Sequence, residues 1–231
     1  MMEAMDRIYT DLPFYGSRRM VTELFDRFSL VAGRHRIRRL MAIMGLETTY
    51  PKPKTSTAHP LHATHPYLLR NVVASYPNHI WGTDITYIPL RGGFCYLVAL
   101  LDWYSRYVIH WELSPTLEIF FCLNNITRAL ERGTPDIHNS DQGSHFTSAQ
   151  YTDILKEKNV SISMDGRGRC MDNIFTERLW RTVKYEDVYL RGYSTLVEVN
   201  TGLTDYFRFY NEKRRHSSLQ NRIPKEVYET K

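Results

Sequence analysis

Residues 80–113, IWGTDITYIPLRGGFCYLVALLDWYSRYVIHWEL, decide the fold class of this chain. Residues 80–90 mix β-branched and aromatic side chains, and residues 94–101 form an almost unbroken apolar run. Residues 106–113 again mix β-branched and aromatic side chains. Such segments are typical of β-strands, and the Arg91, Gly92, Gly93 cluster supplies a turn between the first two. Because short connections join antiparallel neighbours, the stretch predicts three consecutive antiparallel strands.

The residues after this stretch predict a helical return and two more strands. Proline is favoured at the first position of a helix, so a helix is expected to begin at Pro115 and to end near Arg132. Such a return permits the next strand to pair in parallel. The other predicted elements are strands at Asp136–Asn139 and Val160–Ser163, helices at Ser148–Lys158, Asn173–Tyr189 and Thr195–Tyr210, and a glycine-containing loop at Met164–Asp172. The order βββαβαβαα predicts an α/β fold with a mixed five-stranded sheet flanked by helices.

Residues 1–47 predict a small helical segment. Apolar residues recur at helical spacing in Ser17–Phe28 and again in Arg34–Met44. Two short helices around a turn resemble a helix-turn-helix, in which the second helix enters the major groove of DNA. On pattern alone, an ordinary helical hairpin with its arginines in water is the alternative. The candidate DNA contacts on the second helix are Arg34, Arg36, Arg38 and Arg39.

Residues 48–70 predict a linker between this segment and a larger domain at 71–231. Proline, threonine, serine, lysine and histidine dominate its first part. His59, His62 and His65 lie at a spacing of three, but no cysteine or carboxylate is nearby to complete a ligand set. We therefore expect solvated histidines here rather than a metal site.

Composition excludes several classes of protein. Of the 231 residues, 42% are hydrophobic and 13% aromatic, which argues against a disordered chain. No run approaches the roughly 18 apolar residues of a membrane span, and the first ten residues lack the apolar run of a signal peptide. Cys95, Cys122 and Cys170 form no CxxC pair, so a reducing, cytoplasmic compartment is expected. A net charge of +5 with clustered arginines suits a polyanionic partner.

Three carboxylates occupy positions where a surface acid is unexpected. Asp84 lies mid-strand, where aspartate is disfavoured, Asp141 follows the predicted fourth strand, and Glu177 lies on a predicted helix. If the three converge, like-charge repulsion requires a cation, and oxygen ligands favour Mg²⁺ or Mn²⁺. Two such ions can hold the attacking and leaving oxygens of a phosphoryl displacement. The alternative is three unrelated acids, each capping or turning the chain.

The helical positions around Glu177 divide into two sides. Glu177 shares one side with Asn173, Trp180 and Lys184, whereas Phe175, Leu179 and Val183 gather on the other. The second side is expected to pack against the sheet. A fourth acid, Asp102, ends the second strand and is interpreted as structural, either as a turn acceptor or as a partner of Arg106.

These residues and the strings around them resemble the OrfB-type transposases of the IS3 family of bacterial insertion sequences. Asp141 and Glu177 are separated by 35 residues and, with Asp84, resemble the DDE triad of transposases and retroviral-type integrases. The strings that resemble the family include Phe14-Tyr-Gly-Ser-Arg-Arg-Met20, Asp84-Ile-Thr-Tyr87, Asn139-Ser-Asp-Gln-Gly-Ser-His-Phe-Thr-Ser148, Glu177-Arg-Leu-Trp-Arg181, Lys184-Tyr-Glu186 and Phe209-Tyr-Asn-Glu-Lys-Arg-Arg-His216. The resemblance extends over nearly the whole chain.

The resemblance implies a ribonuclease-H-like catalytic core preceded by a DNA-binding helical segment. It implies a DDE-type polynucleotidyl transferase that cleaves DNA at element ends and then uses the exposed 3′-hydroxyl for strand transfer. Asp84, Asp141 and Glu177 would be the catalytic carboxylates and the ligands of two Mg²⁺ or Mn²⁺ ions. Asn173 and Lys184 would contact the DNA beside them. The family usually has glycine in the N-terminal turn, where this chain has Phe28 and Ser29.

The implied partners are double-stranded DNA, from element ends and target, and further copies of the chain on that DNA. The sequence shows no leucine-zipper heptads, so a first-reading-frame protein or a fusion is expected to supply a zipper and a further helix-turn-helix. A cytoplasmic, nucleoid-associated location follows. The alternative function is a catalytically incompetent DNA-binding fragment or regulatory partner of a full-length transposase. A nuclease of the same fold would hydrolyse DNA without joining it.

Overall fold

The computed structural model of this chain describes residues 1–49, 64–166 and 173–230. The chain divides into two compact units, Met1–Thr57 and Ala58–Lys231. His59, His62, Cys170 and most of the predicted loop at Met164–Asp172 lie outside the described residues.

The first unit contains three helices, α1 (Met2–Asp11), α2 (Ser17–Phe28) and α3 (Arg34–Ile43). The predicted helices correspond to α2 and α3. Helix α1 was not predicted separately, although Met5 and Ile8 lie at helical spacing. Its side chains nevertheless help to close the core of this unit, whose fully buried members are Met5, Ile8, Met20, Leu24 and Ile37.

The turn between α2 and α3 accommodates serine where the resembling family usually has glycine. Ser29 adopts the left-handed conformation with φ 54°. Its N–H donates to the end of α2, and the Leu30 N–H donates to the Leu24 carbonyl at 3.0 Å. These bonds satisfy the last carbonyls of the helix, as glycine-terminated helices do. The turn therefore forms without the glycine.

The second unit is built on a mixed five-stranded sheet. Its strands are β1 (Ile80–Leu90), β2 (Gly93–Asp102), β3 (Val108–Ser114), β4 (Ile137–Ser140) and β5 (Ser161–Met164). The spatial order is β3-β2-β1-β4-β5. The pairs β1–β2 and β2–β3 are antiparallel, whereas β1–β4 and β4–β5 are parallel. The predicted fold class is therefore confirmed.

Helices cover both faces of this sheet. They are α4 (Phe120–Leu130), α5 (Ala149–Glu157), α6 (Ile174–Val183), a π-helical turn (Lys184–Val188), α7 (Tyr189–Arg191), α8 (Leu196–Glu212) and α9 (Pro224–Glu229). One core lies under α6 and α8 and includes Ile80, Leu97 and Leu203. The other lies under α4 and α5 and includes Trp81, Val98 and Leu155. Successive residues of β1 alternate between the two cores.

Two predicted helices differ from the structure, one in its start and one in its internal form. Helix α4 begins at Phe120 rather than at Pro115, because the Thr116 N–H bonds to the Ser114 hydroxyl in a local turn instead of continuing a helix. The predicted helix 173–189 is interrupted by the π-helical turn at Lys184–Val188. Helix α9 was not predicted.

The residues before β1 pack more closely than a linker to residue 70 suggests. The Leu68 N–H donates to the Ser163 hydroxyl at 3.0 Å, the Met164 N–H donates to the Pro66 carbonyl, and Leu69 is buried in the core under α6. Burial lowers the pKa of His65, so this histidine is not the solvated residue we expected. Residues 64–69 thus cover the free edge of β5.

The opposite edge of the sheet, β3, is covered by side chains. The amide of Asn211 on α8 accepts from the Val108 N–H and donates to the Val108 carbonyl, both at 2.9 Å. The Arg132 guanidinium donates to the Ile109 carbonyl at 2.7 Å. At Val108 and Ile109, backbone groups that an edge strand would offer to another strand are therefore already bonded.

Candidate active site

Asp84 and Asp141 lie next to each other because of the parallel pairing between β1 and β4. Gly82 pairs with Asn139 in that register, so two residues further along Asp84 is level with Asp141. Neighbouring strands are separated by roughly 4.8 Å. Asp84 is half-buried on β1, and Asp141 is exposed directly after β4 ends at Ser140. The sheet thus places the first two predicted carboxylates at one site.

Helix α6 brings Glu177 to the same site. The Trp180 indole N–H donates to Asp84 Oδ2 at 3.0 Å. One turn earlier, the Asn173 amide donates to the Thr83 carbonyl at 3.2 Å, and the Thr176 hydroxyl donates to Asn173 Oδ1 at 2.6 Å. The start of α6 is therefore fastened to β1 by contacts on either side of Glu177, whose own side chain is exposed.

The electrostatics of Asp84 show that the three carboxylates share one environment. Burial raises the pKa of Asp84 to about 6, although hydrogen bonds from Trp180 and from the Ile85 N–H oppose the shift. The negative charges of Asp141 and Glu177 raise the Asp84 pKa further. The pKa of Lys184 is lowered by burial, and the charge of Asp84 opposes that shift. Asp141, Glu177 and Lys184 are thus each close enough to Asp84 to interact with it.

The residues fit a divalent cation by their chemistry. Among residues 1–49, 64–166 and 173–230, no three His, Cys, Asp or Glu side chains are grouped closely enough to hold a metal ion in this structure. The donors are nevertheless all carboxylate oxygens, two of the three acids are exposed, and Asp84 is held in a field that disfavours its charge. A cation between them would remove that penalty, which is the relation expected between hard oxygen ligands and Mg²⁺.

Asp102 has the structural role predicted from the sequence. Its carboxylate is fully buried and accepts from the Asn78 N–H, the Ser105 N–H and the Ser105 hydroxyl. Arg106 adds an attractive charge that lowers the Asp102 pKa, against the larger raising effect of burial. This aspartate closes the turn after β2 and takes no part in the candidate site.

The predicted DNA contacts have different surroundings. Asn173 is buried, whereas a residue in contact with DNA was expected to be exposed. Its amide is bonded to Thr83 and Thr176, so it fastens α6 to β1. Lys184 is half-buried in the π-helical turn beside Asp84. On α3 of the first unit, Arg34, Arg36, Arg38 and Arg39 are exposed while Ile37 is buried.

Trp180 is the residue of this site that sequence reasoning missed. Its position was assigned to the polar side of the helix, yet the side chain is buried. A buried tryptophan N–H requires an acceptor. The pattern of a tryptophan three residues after Glu177 was the available signal, because one helical turn places both side chains toward the same strand.

Comparison with known proteins identifies the family. Residues 74–170 match the family described as integrase core domain, 158–224 match a second family of that description, and 1–54 match an HTH-like domain. The chain is 30% identical over 217 residues to a 31 kDa protein of insertion element IS600 from Shigella sonnei, covering 91% of this chain and 79% of the relative. It is also 30% identical over 215 residues to the putative transposase InsK for IS150 from Escherichia coli, covering 91% and 76%.

The chain belongs to the IS3-type transposases. The transposase is a DDE-type polynucleotidyl transferase, as the resemblance implied. No helix among the described residues of the transposase is both long and apolar enough to cross a membrane.

The fold of the transposase is that of retroviral integrase cores. The HTLV-2 integrase catalytic core, solved in complex with magnesium, aligns with a TM-score of 0.55 at 16% identity over 68% of the transposase and all of that chain. A simian T-cell lymphotropic virus intasome chain aligns at 0.60 and 13% identity over 98% and 75%. At these identities the likeness concerns the fold alone.

Proposed function

We propose that this transposase cleaves DNA at insertion-element ends and transfers the freed 3′-hydroxyl to a second site, with Asp84, Asp141 and Glu177 as its catalytic carboxylates. The observation that supports the assignment is the electrostatic coupling of Asp84 to both other acids at the meeting point of β1, β4 and α6. Divalent cations, Mg²⁺ or Mn²⁺ and two in number, would be held by these three residues. Bound there, they would stabilise charge on the attacking and leaving oxygens.

The other residues of the site would position the carboxylates or bind the DNA. Trp180 and the Ile85 N–H fix the direction of the Asp84 carboxylate, leaving each oxygen a further lone pair. Asn173 and Thr176 hold α6 against β1 so that Glu177 stays at the site. Lys184 lies beside Asp84 and would bind a phosphate of the DNA strand.

The exposed arginines of α3 provide the second part of the proposal. Arg34, Arg36, Arg38 and Arg39 would bind double-stranded DNA through phosphates and base edges. Assembly of several copies on that DNA, a nucleoid-associated location, and a first-reading-frame protein or fusion that supplies a zipper and a further helix-turn-helix belong to the same proposal.

The proposal is tested with the purified chain, element-end DNA and Mg²⁺ or Mn²⁺. Nicking and strand joining should occur and should be lost in Asp84→Asn and Glu177→Gln. Asp153→Asn is a matched control, because Asp153 is an exposed acid on α5 paired with Lys156. DNA binding without cleavage by the unaltered chain would instead support the incompetent DNA-binding fragment. Hydrolysis without joining would support a nuclease.

A further inference from the structure

An exposed aromatic surface continues from the helix that contains Glu177. One turn after Glu177, the Arg181 guanidinium lies 5.9 Å from the ring centroid of Tyr185. The Tyr185 and Tyr189 rings meet edge to face with centroids 5.3 Å apart. Tyr185 is 65% exposed and Tyr189 is 54% exposed. Arg181, Tyr185 and Tyr189 together are called the Arg–Tyr surface below.

Exposed arginines give the Arg–Tyr surface and its border positive charge, although Glu177 lies one turn before Arg181. Arg178 and Arg181 are exposed and form no ion pair with a described residue. The two acids of the π-helical turn are engaged elsewhere. Glu186 is bonded bidentately by Arg214, and Asp187 is buried against Arg191. Charge complementarity at this surface therefore favours a polyanion.

We propose that the Arg–Tyr surface binds unpaired nucleotides of the DNA by stacking their bases on Tyr185 and Tyr189. The proposal rests on the proposed function, because the surface begins one turn from Glu177. Exposed aromatic rings beside arginines are the arrangement that holds single-stranded nucleic acid, where bases stack on the rings and arginine attracts the backbone. Fully paired duplex DNA does not offer free base faces, so the surface should distinguish paired from unpaired ends.

A binding comparison tests this inference independently of the end sequence, since stacking tolerates any base. The unaltered chain is titrated, without divalent ions, with one fluorescent duplex ending in a short single-stranded tail and with the same duplex fully paired. We expect tighter binding of the tailed DNA. The double variant Tyr185→Ala/Tyr189→Ala should lose affinity for tailed DNA by about ten- to one hundred-fold and lose little for paired DNA.

Two control variants separate stacking from other effects. Tyr185→Phe/Tyr189→Phe keeps both rings and should bind tailed DNA as the unaltered chain does. Tyr87→Ala removes another exposed ring, 53% accessible and in contact with Phe94 and Tyr96 on the opposite face of the sheet, and should also leave binding unchanged. Photo-crosslinking from 5-iodouracil in the tail should label Tyr185 or Tyr189, and circular dichroism confirms that each variant is folded.

Several results would overturn the inference. They are unchanged tail binding in the folded alanine variant, an equal loss on paired and tailed DNA, a loss in the phenylalanine variant, or loss of self-association instead of DNA binding. If the unaltered chain cleaves and joins DNA but shows one of these results, only the stacking inference fails. If it binds tailed DNA through these tyrosines but never cleaves DNA, the proposed function fails and the stacking surface stands.

Discussion

Asp84 is a single residue whose ionisation links the stability of the fold to its chemistry. Its pKa is raised from 3.8 to about 6 in the folded chain, so the folded state holds this proton more tightly than the unfolded state. The cost to stability is absent below pH 4, grows between pH 4 and 6, and is complete above pH 6. At neutral pH the ionised Asp84 therefore lowers the stability of the fold, and a bound cation would offset this cost.

We expect Asp84→Asn to stabilise the metal-free chain at pH 7 by about 1–2 kcal/mol, because the neutral amide removes the charge that burial and the neighbouring acids disfavour. The gain should disappear near pH 4. Adding Mg²⁺ should raise the melting temperature of the unaltered chain and leave that of the variant unchanged. Thermal unfolding at several pH values measures both effects.

Asp153→Asn is the control for this experiment: it should not be stabilised at pH 7, and Mg²⁺ should raise its melting temperature as it raises that of the unaltered chain. A melting temperature of Asp84→Asn that follows the unaltered chain at every pH would contradict the raised pKa. An equal response of both proteins to Mg²⁺ would remove Asp84 from the set of metal ligands.

The candidate site could be predicted from sequence only in part, for reasons that differ by residue. The three carboxylates were singled out because each occupies a position that β-propensity, strand ends or helical spacing made unusual. The burial of Asn173 was not predicted, because a helical wheel cannot show that its amide would bond to Thr83, 90 residues earlier in the chain; its contact with DNA stays a prediction. Trp180 was missed for the same reason, since its acceptor belongs to β1.

At the scale of elements, β1 packs so closely against Trp103 and α6 that Gly82 has no space for a side chain. A Cβ added to Gly82 would lie 2.2 Å from Trp103 Nε1 and 3.0 Å from Thr176 Oγ1. Trp103 is buried after β2, and Thr176 belongs to the turn of α6 that positions Glu177. Close approach of β1 to both neighbours therefore depends on a missing side chain.

Gly82→Ala should destabilise the catalytic unit by about 2 kcal/mol, because Trp103 and α6 must move to admit the methyl group. Gly93→Ala is a suitable comparison, since a Cβ at Gly93 meets nothing within 4 Å and should have little effect. Chemical denaturation of both variants measures the difference. Equal stabilities would show that β1 and α6 are packed more loosely than described.

The π-helical turn is fastened by an ion pair to the end of α8. Arg214 donates to both carboxylate oxygens of Glu186, at 2.6 and 2.8 Å, and the Tyr206 hydroxyl donates to the same group at 3.0 Å. Lys184 occupies the same turn. The ion pair therefore helps to determine where Lys184 lies relative to Asp84.

A double-mutant cycle on Glu186→Gln and Arg214→Met should give a coupling of about 1 kcal/mol in unfolding experiments, because the pair is bidentate and only partly exposed. The same cycle on Glu212 and Lys225, a more exposed pair with a single contact, should give less. DNA cleavage should fall in both single variants. Full cleavage by Arg214→Met would show that the turn keeps its shape without the pair.

The elements themselves were predicted with unequal success. The bounds of β1 agree with the sequence pattern at both ends, since β-branched and aromatic residues stop where the glycines begin. The predicted start of α4 was wrong because the Thr116 N–H bonds to the Ser114 hydroxyl in a local turn. The π-helical turn after Val183 was not predicted, because such a turn has no sequence period of its own. Helix α1 was not predicted separately, although its buried residues Met5 and Ile8 lie at helical spacing.

At the scale of the whole molecule, the proposed duplex-binding arginines and the proposed catalytic carboxylates belong to different units. The arginines of α3 are exposed in the first unit, and the carboxylates lie in the second. Affinity for DNA and cleavage of DNA should therefore respond separately to substitution.

Replacing Arg36 and Arg39 by alanine should weaken binding to duplex DNA and flatten its salt dependence by roughly 0.9 in the logarithmic slope for each phosphate that the variant no longer neutralises. Arg7→Ala is the control, because Arg7 on α1 is paired with Glu3. Binding measured from low to moderate salt gives the slope. An unchanged slope would remove α3 from the DNA interface.

The bonded edge strands of the sheet, β3 and β5, affect how copies of the protein can associate when they lie close together. On one side Asn211 and Arg132 bond to the backbone of β3, and on the other residues 64–69 lie along β5. If copies bind close together on one DNA, as proposed, they would find these backbone groups already bonded, which disfavours joining of their sheets edge to edge. Association of the copies would then depend on contacts between side chains, which are more specific than backbone pairing. Growth into fibrous aggregates by edge-to-edge strand pairing would be disfavoured at both edges of the sheet.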